Sequence, residues 1–420
     1  MAFLFVFLCL HQFLYFYAQK PEMLFWKFVL WISCAIVFYN YAGYALIILV
    51  LKRFKKKEPV VPKEYFPSVS FIVAAYNEED CIEKKVQNSL EQIYPANKIE
   101  FIFITDGSTD ATPDIVQNYP SIRLLHSNDR KGKSAALNRA VESANNEILI
   151  FSDANTTLNK EACLYISKHY FDVLVGGVAG EKKVIALSGN DQNAASSEGL
   201  YWKYESVLKK LDSDFHTVVG AAGELFSVRR NLYEAVSPDV ILDDFIISMK
   251  IAQAGYRIVY EPNAYAMELP SFSINDEKKR KVRISAGGFQ AMTMLRDALF
   301  FWKHLKLSFL YISHRVLRWT LSPLCLILIL LSSLILAILS VNPLYKIVLF
   351  AQVIFYSGAL IYSLAPGLGK RFSLLKPAYY FSFMNISVFQ GFFKFIRKKQ
   401  SAAWEKAKRA EYTTPEIKNH

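Results

Sequence analysis

Long runs without a charged residue constrain this 420-residue chain more than any other feature. Residues 28–51 carry no charge, and about 20 apolar residues are enough for a helix that crosses a bilayer. Residues 319–345 and 347–369 are two further uncharged runs, and the Asn-Pro pair at 342–343 predicts a turn at that point. The sequence therefore predicts a membrane protein with a main span near its N-terminus and a helical hairpin near its C-terminus.

Two weaker apolar segments leave the number of spans open. Residues 377–393 are uncharged but short, so they are either a span or an interfacial or re-entrant segment. Residues 1–19 are interrupted by His11 and Gln12. They are either a short span or a signal-like apolar segment, although a basic start is missing.

Basic clusters beside these runs predict the orientation in the membrane. They lie at residues 52–57, 278–283 and 397–399, within a chain of net charge +12. Because basic residues next to spans mark the cytoplasmic side, the polar middle is predicted to be cytosolic, at a bacterial inner or plasma membrane. The charge is interpreted as contact with anionic membrane lipids and not as nucleic-acid binding.

The sequence predicts five consecutive regions. These are an N-terminal membrane segment, a cytosolic α/β domain, amphipathic interface helices, a C-terminal transmembrane region and a basic tail. In that order they cover residues 1–58, 66–290, 291–317, 318–395 and 396–420.

Within 66–290, strand-like apolar runs alternate with helical patterns. The runs are VSFIVAA at 69–75, IEFIFIT at 99–105, IRLLH at 122–126 and EILIFSD at 147–153. Such alternation favours a parallel sheet covered by helices on both faces, in which ligands bind beyond the carboxyl ends of the strands. The polar clusters AYNEED, TDGSTD and SDANT all follow strand ends, so one composite site is predicted there.

Six motifs occur in a fixed order: VSFIVAAYNEED, ITDGSTDAT, FSDANTTL, GAAGELFSVRR, ILDDF and RKVRISAGG. Together they resemble the membrane-integrated family 2 glycosyltransferases of the cellulose-synthase-like and hyaluronan-synthase-like kind. The resemblance implies an α/β GT-A domain with a Rossmann-like mixed sheet, placed between N- and C-terminal transmembrane helices. It also implies inverting transfer from a UDP-sugar donor to a growing polysaccharide or lipid-linked glycan.

The donor residues follow from this resemblance. The loop of Tyr76, Asn77 and Glu78 is expected to receive uracil, with Tyr76 stacking on the base, and Asp106 is expected to contact the base or ribose. Chance occurrence of a tyrosine in a polar loop, and a turn or capping role for Asp106, are the alternatives.

Two basic positions are expected near the nucleotide. Lys133 is the best match in DRKGKSAALN, which is not a P-loop because Ser127 stands where glycine is required. Arg283 matches the arginine of the family's Gln-x-x-Arg-Trp motif, whereas Arg280 replaces the glutamine and Ile284 the tryptophan. The alternative for this second cluster is a basic face against anionic lipid.

Asp153 and Asn155 stand where many such enzymes have Asp-x-Asp. Residues two apart on a strand point the same way, so both oxygens are predicted to bind one Mg²⁺ or Mn²⁺ ion. Replacement of the second acid by Asn predicts weaker binding of free metal. An Asx-turn at Asn155 is the alternative.

The catalytic base is expected in ILDDF. In the family the second acid of such a pair deprotonates the acceptor, so Asp244 is the predicted base and Asp243 its supporting neighbour. Gly223 and Glu224 are expected on the acceptor side. Helix-start acids, and an ion pair of Glu224 with a following arginine, are the alternatives.

Two rival functions remain at this point. The first is transfer of a single sugar to a lipid carrier, which Ile284 favours because the tryptophan that stacks on the acceptor is missing. The second is an inactive membrane scaffold or transport protein with a transferase-like domain. The acids at 106, 153 and 244 argue against the second.

Overall fold

The structure is a computed structural model that describes residues 21–54, 65–185, 192–269, 274–364 and 375–398. All of the predicted N-terminal segment 1–19 and most of the tail 396–420 lie outside these residues. Internal contacts divide the chain into two units. One comprises Met1–Leu46 and Val316–Ile386, and the other comprises Ile47–Arg315 and Ser387–His420.

The second unit contains an eight-stranded mixed sheet of spatial order β3-β2-β1-β4-β7-β6-β8-β5. The strands are β1 Val69–Ala75, β2 Ile99–Asp106, β3 Ile122–Ser127, β4 Ile148–Asp153, β5 Thr157–Leu158, β6 Val175–Val184, β7 Leu225–Arg229 and β8 Arg257–Glu268. The first four neighbours in this order are parallel, whereas β7 runs antiparallel to both β4 and β6. The predicted mixed GT-A sheet is confirmed.

Helices cover the sheet and contribute to the site. They are α1 Ile82–Leu90, α2 Thr112–Gln117, α3 Lys133–Ser143, α4 Ala162–Ser167, α5 Gln192–Phe215, α6 Asp243–Gln253 and α7 Ile274–Met294. All seven residues of β1 are buried, as expected for a central parallel strand covered on both faces. Its Val69, Phe71 and Val73 belong to a core cluster that includes Ile82 and Val86 of α1.

The strand register brings the polar clusters to one edge of the sheet. Ala75 of β1 pairs with Thr105 of β2, and Ala74 pairs with Asp153 of β4. The three parallel strands therefore end at the same level. Residues that follow them lie side by side, as the sequence predicts.

The described residues include three helices that are long and apolar enough to cross a membrane. They are Pro21–Phe54, Leu321–Leu339 and Pro343–Leu364. The first starts earlier than the predicted main span at 28–51, and the other two confirm the predicted hairpin around residues 342–343. The segment at 377–393 lies in a helix, Leu375–Ile396, that is not among these three candidates.

The predicted interface region 291–317 contains short helical segments, Arg296–Leu299 and Leu305–Tyr311. Trp302, between them, is 79% exposed, and Leu305, the first residue of the second segment, is 68% exposed. Exposed apolar side chains beside lysines are typical of segments at a membrane interface. The interfacial position stays a prediction.

Candidate active site

The loop after β1 is held against the loop after β2. Asn77 has a left-handed backbone, with φ of 53°. Its amide oxygen accepts a hydrogen bond of 2.8 Å from the Thr109 N–H, and its own N–H donates to Ser108 Oγ at 3.2 Å. Glu78 is buried, and its N–H donates to Thr112 Oγ1 at 2.8 Å. These bonds fix the segment that presents Tyr76.

Asp106 organises the basic loop that precedes α3. Its Oδ2 accepts hydrogen bonds from the N–H groups of Lys131 at 2.9 Å and Gly132 at 2.6 Å. Arg139 Nη2 lies 3.3 Å from Oδ1. Both oxygens of this buried carboxylate therefore have partners within the chain, and its expected contact with base or ribose stays a prediction.

The next residue, Gly107, lets the basic loop approach closely. Its φ is +69°, and a Cβ atom there would lie only 2.6 Å from Arg130 Cβ. The guanidinium carbon of Arg130 lies 3.9 Å from the centroid of the Tyr76 ring, a cation–π contact. The Arg130 guanidinium thus covers one face of the Tyr76 ring, which is predicted to stack on uracil.

Lys133, the first residue of α3, occupies the centre of the site. Its ammonium bonds Asp153 Oδ1 at 2.6 Å. A Cβ placed on Gly223 would be 3.3 Å from both Lys133 Nζ and Asp244 Oδ2, so the bare glycine backbone lines the space between them. Burial opposes the charge of Lys133, but Asp153, Asp243 and Asp244 outweigh this and hold its pKa above the ordinary value.

The turn after β4 runs from Asp153 to Thr156. It is closed by the Thr156 N–H, 3.4 Å from the Asp153 carbonyl, and Thr156 Oγ1 donates to the same carbonyl at 2.9 Å. The Asn155 side chain is half-buried, and its metal-ligand and Asx-turn interpretations both stay predictions. The strand ends at Asp153, so Asn155 lies outside it. The rule that residues two apart on a strand point the same way therefore does not apply to this pair.

The acid pair lies in the first turn of α6, as predicted. Asp243 is 7% exposed, and its buried Oδ2 has no hydrogen-bond partner among the described residues. Burial, reinforced by the charge of Asp243, raises the pKa of Asp244 to about 7, and Lys133 opposes this. A carboxyl group with this pKa can accept a proton near neutral pH.

Glu224 forms an ion pair, but with a different partner from the arginines considered in the sequence. Its Oε1 lies 2.5 Å from the buried ammonium of Lys182, which also pairs with Glu268. Burial opposes ionisation, but Lys182 holds the pKa of Glu224 well below its ordinary range. Arg229 instead pairs with Glu147 at 2.8 Å.

The structure thus brings Lys133, Asp153, Gly223, Asp243 and Asp244 together, with Glu224 following Gly223. Tyr76, Asn77, Glu78 and Asp106 form the neighbouring loops. Arg283 is half-buried on α7 and forms no ion pair with the described residues, so its contact with a diphosphate stays a prediction.

Among the buried lysines that sequence reasoning missed, two lie next to the candidate site, Lys182 on β6 and Lys85 on α1. Both lie in Lys-Lys pairs whose other member, Lys183 or Lys84, is more exposed. The helical apolar spacing around Lys85 is the only local signal that it faces inward.

Comparison with known proteins agrees with the fold described above. The family profile described as Glycosyl transferase family 2 matches residues 70–236. A poly-beta-1,6-N-acetyl-D-glucosamine synthase of Staphylococcus aureus is 28% identical over 255 residues, which cover 57% of this chain and 59% of that protein. A synthase of the same name from Staphylococcus epidermidis is 26% identical over 245 residues and covers 57% of each chain.

The chain therefore spans less than two thirds of the length of these curated relatives. A solved mannosyltransferase of Pyrobaculum calidifontis, in complex with GDP-Man and Mn²⁺, superposes with a TM-score of 0.68 at 24% identity. This match covers 89% of this chain and 100% of that one. At this identity the likeness establishes the fold.

Proposed function

We propose that this chain, which belongs to the family 2 glycosyltransferases and has their GT-A fold, transfers a sugar with inversion from a UDP-sugar to a growing glycan. One observation carries the proposal. Asp244, a half-buried carboxyl group whose pKa is raised to about 7, lies beside the Lys133–Asp153 pair at the carboxyl ends of parallel strands. A proton acceptor and a place for a diphosphate are thus adjacent.

Each group has a distinct role in this reaction. Asp244 accepts the proton of the acceptor hydroxyl as that oxygen forms a bond to the anomeric carbon. The bond between this carbon and the UDP oxygen breaks on the opposite face. Lys133 offsets the charge that develops on the departing diphosphate, and Tyr76 contacts the base. Arg283 is a second candidate cation for the diphosphate.

A divalent cation fits the donor set around Asp153. The bond from Lys133 shows that this carboxylate accommodates a cation, and an amide oxygen such as that of Asn155 is a ligand that Mg²⁺ and Mn²⁺ accept. Groups of three or more His, Cys, Asp or Glu ligands are absent from the described part of the chain. Mg²⁺ or Mn²⁺ would therefore be held by Asp153, Asn155, diphosphate and water, and would act as a Lewis acid on the leaving group.

The relatives suggest which substrates to test first. Their names describe synthesis of poly-N-acetylglucosamine, so UDP-N-acetylglucosamine is our first donor and a glycan hydroxyl our first acceptor. Transfer of one sugar to a lipid carrier is the second candidate, because Ile284 stands in place of the acceptor-stacking tryptophan. The basic clusters favour a catalytic domain on the cytosolic side.

The test is UDP release by the full chain purified in detergent, with UDP-N-acetylglucosamine, other UDP-sugars and GDP-mannose as donors, and Mg²⁺ or Mn²⁺ added. We expect release from a UDP-sugar, with products longer than one sugar by size analysis. Single-sugar products on a lipid would favour the second candidate. No release from any donor with glycan and lipid acceptors would instead support an inactive scaffold.

The pH profile provides a prediction about the acid pair. The reactive form of Asp244 is the carboxylate, so kcat/KM should rise as pH increases through about 7. Asp243→Asn removes a neighbouring negative charge that raises this pKa, so the rising limb should move to lower pH. If the rising limb of kcat/KM stays at the same pH in Asp243→Asn, the two acids do not control the pH profile.

A further inference from the structure

The buried lysine of α1 is not used in the mechanism above. Lys85 is only 2% exposed, whereas the preceding Lys84 is exposed. Its ammonium donates to Ser152 Oγ at 2.6 Å, to the Thr156 carbonyl at 3.0 Å and to Thr156 Oγ1 at 3.3 Å. All three N–H bonds are therefore directed at the two residues that flank the turn Asp153–Asn155.

These contacts extend to both halves of the candidate site. Thr156 Oγ1 donates to the carbonyl of Asp153 at 2.9 Å, on the donor side. Ser152 Oγ lies 3.2 Å from the carbonyl of Glu224, on the acceptor side. One ammonium thus fixes the backbone that presents Asp153 relative to the backbone that presents Gly223 and Glu224.

The charge of Lys85 is costly where it lies. It forms no ion pair with a described residue, and its bonded acceptors are neutral oxygens. Burial lowers the pKa of Lys85 to about 7, and the carboxylate of Asp153 opposes this. Removing an unpaired charge from water is unfavourable, so a lysine contributes less to core packing than an apolar residue would. The position of Lys85 behind the turn is therefore better explained by its effect on the site.

We propose that Lys85 is a positioning residue for the donor diphosphate. Its side-chain nitrogen, through its hydrogen bonds to Ser152 and Thr156, holds the turn 152–156 so that Asp153 and Asn155 face the phosphates. The inference rests on the proposed use of a nucleoside diphosphate donor. It extends that function to a residue that touches neither substrate nor metal.

The test compares two probes on the full chain in detergent by isothermal titration calorimetry. UDP with Mn²⁺ reports the phosphate contacts, and uridine reports the base contacts alone. In Lys85→Met, UDP affinity should fall by about tenfold, since a hydrogen bond to a charged group is worth about 1.5–3 kcal/mol and 1.4 kcal/mol is tenfold. Uridine affinity should be unchanged, and Lys84→Met should match the wild type for both probes.

A second variant keeps the test decisive if Lys85→Met does not fold. Ser152→Ala removes the oxygen 2.6 Å from the ammonium and should weaken UDP binding in the same direction by a smaller factor, again without effect on uridine. Wild-type UDP affinity in the folded variants, or equal losses for UDP and uridine, would overturn the inference. Failure of the wild-type chain to bind UDP would overturn the proposed function itself.

Discussion

Asp244→Asn is expected to lower the transfer rate by about 10²- to 10⁴-fold, which is the contribution typical of a general base. The substitution keeps the shape of the side chain but removes the group that accepts the acceptor proton. UDP binding should be retained, because the predicted nucleotide contacts lie on Tyr76, Lys133 and Asp153. Initial rates of sugar transfer and UDP titrations on the same preparation measure both quantities.

The matched control is Asp114→Asn. Asp114 is an exposed acid in the first turn of α2, so it shares the helix-start position of Asp244, which is half-buried. If Asp244 only complemented a helix dipole, the two variants would behave alike and cost at most about 1 kcal/mol of stability. Full activity in Asp244→Asn would contradict the assignment of the base.

Thermal unfolding distinguishes catalysis from structure at the same residue. The raised pKa of Asp244, about 7, means that burial disfavours its ionised form. This cost is absent below the unfolded-state pKa of about 4, grows as pH rises from about 4 to about 7, and stays constant above pH 7. A neutral Asn should therefore leave the unfolding temperature at pH 8 unchanged or higher, even though activity is lost.

The parallel half of the sheet could be predicted because its strands are short, buried apolar runs. β1 has the bounds predicted from VSFIVAA, and β4 begins one residue later than predicted. The register of these strands then follows from the fold and aligns their carboxyl ends. This is why the polar residues after β1, β2 and β4 could be assigned to one site before any contact was known.

The antiparallel half was less predictable. β6 has the sequence VGGVAGEKKV, in which three glycines and two lysines interrupt the apolar pattern. A Cβ on Gly177 would lie 2.8 Å from the Ser227 carbonyl and from a side-chain atom of Ile258, so close packing between strands selects this composition. Secondary-structure propensity is a local property and does not report such contacts between distant strands.

Partners of charged groups were predicted least well, because they depend on distant residues. Lys182 joins Glu224 and Glu268, which are 42 and 86 positions away. Asp106 is satisfied by N–H groups 25 and 26 positions along the chain. The sequence supplied the candidate acids of the site, whereas only the fold identifies the cations that set their pKa values.

Asp153→Ala is expected to abolish transfer and to weaken UDP binding in the presence of Mn²⁺ by about 10- to 100-fold, the equivalent of about 1.5–3 kcal/mol for a lost charged contact. The variant also deprives Lys133 of its partner at 2.6 Å. The freed ammonium is then attracted to Asp244, which would lower the pKa of that base. Titration of UDP with and without Mn²⁺ separates the loss of the metal contact from the loss of this ion pair.

Asn155→Asp is the matched change in the opposite direction. It adds a second carboxylate to the turn, so Mn²⁺ should bind more tightly and activity should saturate at a lower Mn²⁺ concentration. Asn155 is half-buried, and Asp has nearly the same size and shape as Asn, so the substitution changes mainly the charge of the turn. If the Mn²⁺ response is unchanged while Asp153→Ala is inactive, the metal contact belongs to Asp153 and Asn155 serves the turn alone.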